Sequence, residues 1–212
     1  MPAVWRAWTT RARNSSGSGR TRSTGWHQHQ SWSGWPAGSP AHLDLPAFDA
    51  FGRADRRIEV AEGISDDDRV FLRKRRRELA DRLASLDFDS ARGPVHGDAH
   101  TDNLMVDQQG GLHLIDLENF SLDRPEWDLV VSAHEYDRLG WVSGEEYREF
   151  VSCYGRDLRD WPGFGVLAAI QEFKTTTWLM QNTAEGPHIA EEVRVRLASL
   201  RDDDAPRNWQ PY

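Results

Sequence analysis

Cysteine is nearly absent. Cys153 stands alone, which excludes an internal disulfide framework and fits a reducing compartment. No apolar run approaches the length that a membrane-spanning helix needs. No apolar stretch follows the N-terminus either, so a secretory leader is not expected and a cytoplasmic location is. Lysine is scarce, with only Lys74 and Lys174 in 212 residues. The formal net charge of -8 argues against general binding to nucleic-acid phosphates. Hydrophobic residues make up 38% and charged ones 28%. That is enough apolar material to core one ordinary domain, or two small ones, under a very polar surface.

Acidic residues are missing from residues 1–40, which contain Arg but no Asp, Glu or Lys. All 34 acidic side chains lie beyond this segment. Trp5, Trp8, Trp26, Trp32 and Trp35 fall inside it, among Ser, Gly, Thr and Arg. With almost no Leu, Ile or Val and no helical or strand period, it is not expected to build a core. Three readings stand: a disordered basic tail, an organelle transit peptide, or an out-of-frame translation of GC-rich coding sequence. The density of Trp speaks against the second, and the abrupt change of composition favours the third.

What the chain does have is concentrated in Pro94–Glu118, PVHGDAHTDNLMVDQQGGLHLIDLE. It predicts a short strand over Pro94–His96, a polar loop, and a hairpin with strands Leu104–Val106 and Leu112–Ile115. The Gly-rich turn between them suits a short hairpin. Apolar residues pin the strands. His96, Asp98, His100, Asp102, Asn103, Asp116 and Glu118 are left at the loop and the strand end. Carboxylates gathered there need partners, and a cation site is the chemistry they suit.

Asn103 follows Asp98 by five residues, and Asp116 follows the second strand. This is the layout of a kinase catalytic loop, where an Asp takes the acceptor proton and an Asn and a second Asp hold metal. HGDAHTDN followed by LIDLE, with Gly97 in place of the kinase Arg and Asp116-Leu117-Glu118 in place of Asp-Phe-Gly, resembles the aminoglycoside phosphotransferase family. That group includes choline, fructosamine and homoserine kinase relatives. The resemblance implies Asp98 as catalytic base, with Asn103 and Asp116 as ligands of Mg2+. The phosphate donor would be ATP or GTP, and the acceptor a hydroxyl of a small molecule. It makes His96 and Asp128, in Trp127-Asp128-Leu129, structural supports of the loop, and leaves Glu118 and His100 as polar groups behind the ligands. The implied fold is α+β but mostly α: a protein-kinase-like C-terminal lobe over residues 41–212, with the hairpin surrounded by helices.

A kinase-like phosphotransferase normally opens with an N-terminal lobe bearing a phosphate-covering loop, a strand Lys and a helix Glu. None of these is found before His96, so that lobe is read as missing and the chain as truncated. No nucleotide-binding lysine is found. Lys74 lies in Arg73-Lys74-Arg75-Arg76-Arg77, which reads as a solvated helix face paired with Glu78 and Asp81. A bare lobe would expose apolar surface and self-associate through it.

The remaining text predicts helices. Ser65 caps one that runs to about Leu86, with Leu72, Leu79, Leu83 and Leu86 on one side. Pro125 starts another over Glu126 to about Leu139. Ser143 and Glu146 form a capping box for a helix ending near Tyr154-Gly155. Phe164 to Gln181 is the longest apolar helix, with Val166, Leu167, Ile170, Phe173, Trp178 and Leu179 as core. Pro187 opens a last helix through Leu200, and Trp209 and Tyr212 are expected to pack back from the tail. Glu135, Asp137, Asp157, Asp160 and Glu172 on these helices would suit a cationic acceptor, although solvated helix faces explain any one of them. Two rivals remain: a non-catalytic kinase-like module that binds a partner or nothing, and a metallophosphoesterase built on the pair Asp98-x-His100.

Overall fold

Ser65 opens the first long helix as the sequence predicts. Its hydroxyl accepts the Asp68 N–H at 3.1 Å, and Asp68 Oδ2 reaches back to the Ser65 N–H at 3.3 Å, a reciprocal capping box. The computed structural model describes residues 44–109 and 112–212. The readings of residues 1–40 and of the Gly110-Gly111 turn lie outside these residues.

The helices are α1 (Ala54–Val60), α2 (Asp66–Ala84), α3 (Glu126–His134), α4 (Gly144–Tyr154), α5 (Phe164–Leu179) and α6 (Pro187–Leu200). A π-helical turn, Glu135–Leu139, continues α3. Among the described residues four short strands complete the set: β1 (Gly93–Val95), β2 (Leu104–Val106), β3 (Leu112–Leu114) and β4 (Ser121–Asp123). β2 and β3 form the expected antiparallel hairpin, with Met105 opposite His113. β1 pairs antiparallel with β4, Pro94 opposite Leu122. Sequence periodicity does not reveal β4, because three residues are too few to show a period of two.

α5 is the axis of the fold. Leu167, Ala168, Ile170, Phe173, Thr176, Thr177 and Leu179 are fully buried, and α1, α2, α3 and α6 all pack against it. Trp178, expected in the core, is 41% exposed instead. A helix buried on most sides carries no apolar stripe from which its one wet position can be read. α3 is buried along its whole length, which fixes its N-terminal turn rigidly beside β1.

The basic run on α2 is only partly the solvated face expected. Lys74 pairs with Glu78 at 3.5 Å in the open, but Arg75 is buried and binds Asp203. The C-terminal segment straps the bundle. Trp209 is buried, its Nε1 donates to Ser199 Oγ at 2.8 Å, and its carbonyl accepts from Trp141 Nε1 at 3.0 Å. Tyr212, by contrast, is half exposed. Among the described residues no helix is long and apolar enough to cross a membrane.

Candidate active site

The loop between β1 and β2 is held from three directions. From α3, the two carboxylate oxygens of Asp128 accept the backbone N–H groups of His96 and Gly97, each at 2.9 Å. From the hairpin, His96 Nε2 lies 2.9 Å from the Ile115 carbonyl oxygen, and the Ile115 N–H donates to the Asn103 carbonyl at 3.0 Å. From within, Asn103 Nδ2 donates to the Asp98 carbonyl at 2.8 Å and lies 3.1 Å from His100 Nε2. His96, Asn103 and Asp128 are all buried.

Gly97 is required by the same geometry. Its φ is +78°, and a Cβ there would lie 2.8 Å from both the Asn119 carbonyl oxygen and Phe48 Cε2. The backbone conformation and the space therefore both exclude a side chain. Asp116 is the only non-glycine residue with positive φ among the described residues, at φ 56° and ψ 55°. Asp tolerates this left-handed region better than most residues. Departures of this kind cluster at functional positions.

The loop leaves Asp98 half-buried, with 41% of its side chain exposed. Burial works against the ionised carboxylate. The His100 imidazole beside it, 3.7 Å away, and the charges of Lys174 and His96 outweigh that and hold it below the usual carboxylate range. Burial also opposes a charged His100, but Asp98, Asp102 and Glu135 raise its pKa above the ordinary imidazole value. Asp128 goes the other way: complete burial raises its pKa against the two N–H groups that favour its charge. Near neutral pH Asp98 is an oriented, ionised carboxylate at the surface of a braced loop.

Asn103 and Asp116 fit a hard cation. With Nδ2 tied to the Asp98 carbonyl, the oxygen of the Asn103 amide is left over, and no hydrogen bond to it occurs among the described residues. The Asp116 residue is exposed. Among the described residues no group of three or more His, Cys, Asp or Glu is arranged to hold a metal ion by itself. That gives the phosphoesterase reading no centre.

Glu118 lies on the exposed turn after Asp116 and pairs with Arg53 at 3.5 Å. The acids proposed for a cationic acceptor are mostly engaged elsewhere. Glu172 is fully buried, bonded to Arg207 at 3.1 Å and lying 3.5 Å from Arg138 and 3.7 Å from His134. Asp157 binds Arg159 at 2.6 Å and the Tyr147 hydroxyl at 2.7 Å. Asp137 lies 3.9 Å from Arg159. Sequence reasoning missed three residues at the loop: Phe48, Arg57 and Lys174. Lys174 interrupts an apolar helix, which was the one signal available.

The sequence matches the phosphotransferase enzyme family over residues 26–167, more than half of the chain. The chain belongs to that family. No curated protein is matched. Three solved structures show the fold that goes with this phosphotransferase sequence. The amicoumacin kinase hAmiN, in complex with AMP-PNP, Ca2+ and Ami, is 14% identical and superposes with a TM-score of 0.57 over 98% of this chain and 61% of that one. A choline/ethanolamine kinase family protein from Mesorhizobium loti is 16% identical, with a TM-score of 0.52 over 76% and 56%. LicA, a choline kinase from Streptococcus pneumoniae, in complex with AMP, is 22% identical, with a TM-score of 0.51 over 73% and 55%. The fold is kinase-like, and the chain spans little more than half the length of these structures.

Proposed function

We propose that this phosphotransferase-family chain carries the catalytic loop of a small-molecule kinase, which moves the terminal phosphoryl group of ATP or GTP to a hydroxyl. The observation that carries the reading is the Asp128 clamp on the amides of His96 and Gly97, which fixes the backbone directly before the ionised, half-exposed Asp98. Asp98 orients the acceptor hydroxyl by hydrogen bond and takes its proton as the hydroxyl attacks. Asn103 and Asp116 are the residues that would hold Mg2+. When bound, that cation neutralises charge on the phosphates and the leaving group. The bound nucleotides of LicA and hAmiN, and the divalent cation of the latter, support a nucleotide and metal of this kind.

The test is transfer from labelled ATP to a panel of hydroxylated small molecules, with Asp98→Asn beside the wild type. Removing a general base costs on the order of 10²–10⁴-fold in rate. An unchanged rate in a folded Asp98→Asn protein contradicts the assignment. One observation favours a second reading, a non-catalytic kinase-like module. Both lysines, Lys74 and Lys174, lie on helices, and no strand of the described residues carries the lysine that grips nucleotide phosphates in kinases. A folded chain that binds no nucleotide at any Mg2+ concentration supports that second reading.

A further inference from the structure

The proposed reaction uses Asp98, Asn103 and Asp116 and leaves two cations beside them without a role. Arg57 stands on α1 and Lys174 on α5, helices that pack against each other. Lys174 Nζ lies 5.3 Å from the centroid of the Phe48 ring. The same ring closes on Gly97, within 2.8 Å of where a Cβ would stand. One ring, Phe48, thus neighbours both the ammonium and the backbone step that precedes Asp98.

The buried arginines among the described residues are paired. Arg196 binds Glu192 at 2.8 Å, Arg207 binds Glu172 at 3.1 Å, and Arg75 binds Asp203. Lys174 and Arg57 differ. Both are half-buried, and neither forms an ion pair among the described residues. Arg57 Nε is buried without a hydrogen-bond partner among those residues. Burial lowers the pKa of each; Asp98 attracts both, and Arg57 repels Lys174. Glu118 also attracts Arg57, and Asp49 and Asp128 attract Lys174, all from beyond ion-pair range, and two partly buried cations near one another are costly unless an anion joins them directly.

We propose that Arg57 and Lys174 form an oxyanion subsite next to Asp98, which takes a phosphate or carboxylate group. Its functional meaning rests on the phosphotransferase reading. The oxyanion is either a phosphate of the donor or an acidic group on the acceptor. α1 and α5 then supply positive charge to the site. Planar Arg57 suits two oxygens at once, and Lys174 acts as a point charge.

The experiment is calorimetric titration of the full chain with inorganic pyrophosphate in the absence of Mg2+, using the wild type, Arg57→Gln, Lys174→Met and Lys174→Arg, with circular dichroism as the check on folding. Wild type binds, Arg57→Gln and Lys174→Met each weaken binding by at least about tenfold, as expected for loss of a charge-assisted hydrogen bond, and Lys174→Arg retains most of it. No binding to the wild type, or equal binding to both charge-removing variants, overturns the proposal. A second arm repeats the titration with saturating Mg2+ and AMP-PNP. Loss of pyrophosphate binding assigns the subsite to the donor; retained binding assigns it to an acidic acceptor. If pyrophosphate binds through Arg57 and Lys174 but Mg2+-nucleotide does not bind, the subsite stands and the phosphotransferase reading falls. If Mg2+-nucleotide supports transfer and the two cations do not affect pyrophosphate, the reverse holds.

Discussion

The side-chain amide of Asn103 donates to the carbonyl oxygen of Asp98 at 2.8 Å. One hydrogen bond thus couples the proposed metal ligand to the proposed base across the turn between them. It fixes which end of the Asn103 amide is free, and so where an oxygen ligand is available. Asn103→Ala is expected to abolish metal-dependent nucleotide binding and also to loosen the Asp98 loop. Asn103→Asp keeps an oxygen but loses the donor. It should retain weakened metal binding, with faster amide exchange over residues 98–103 than in the wild type. Equal exchange in the two proteins contradicts the coupling.

Asp128 is a support, and its removal is expected to show as stability before chemistry. Asp128→Ala leaves the N–H groups of His96 and Gly97 without their acceptors in a buried place. Each such loss costs about 1–3 kcal/mol, so urea denaturation should show a drop of about 2–6 kcal/mol. An effect below about 1 kcal/mol shows that water replaces the carboxylate.

Gly97→Ala meets two obstacles at once, the positive φ and contact with Phe48 and Asn119. A left-handed residue costs about 1–2 kcal/mol, and the contact adds to that. The double variant Phe48→Ala with Gly97→Ala relieves one contact and not the φ. It is expected to recover part of the stability, measured by thermal melting, and none of the activity.

Glu172 sets an acid limit. Burial raises its pKa, but His134 and Arg207 outweigh this and hold it below the usual carboxylate range. A carboxylate with a depressed folded pKa contributes its stability in full above its unfolded pKa, about 4.3. It loses that contribution as pH falls through the lower folded value. Glu172→Gln leaves Arg207 buried without its charge partner, a loss of about 3–5 kcal/mol near neutral pH. The gap between wild type and Glu172→Gln should narrow as pH drops below about 4.3. A gap independent of pH from 3 to 7 contradicts the ion-pair account of this core.

The parts of the fold written in local chemistry were legible in the sequence. Ser65 with Asp68, Ser143 with Glu146, Gly155 and Pro187 mark helix ends where the structure has them. The hairpin at Leu104–Val106 and Leu112–Leu114 followed from its turn. Parts set by distant contacts were not legible. β4 exists because β1 needs a partner, and nothing local announces it. Arg75 reads as a solvated charge until Asp203, far along the chain, arrives beside it. Glu172 reads as a surface acid, and only the return of Arg207 from the tail makes it a core ion pair. At the loop, residue types, spacing and the family resemblance pointed to Asp98, Asn103 and Asp116 as the candidates proposed here. Arg57 and Lys174 came from helices whose patterns point to packing.

The most direct test is calorimetric titration of the purified 212-residue chain with ATP or GTP, with and without Mg2+, beside Asp116→Ala. Binding that requires Mg2+ and disappears in Asp116→Ala is the expected result, and it would establish a metal-assisted nucleotide site on this loop. Binding that is indifferent to Mg2+ and to Asp116, or no binding by a folded chain, contradicts the proposed phosphotransfer.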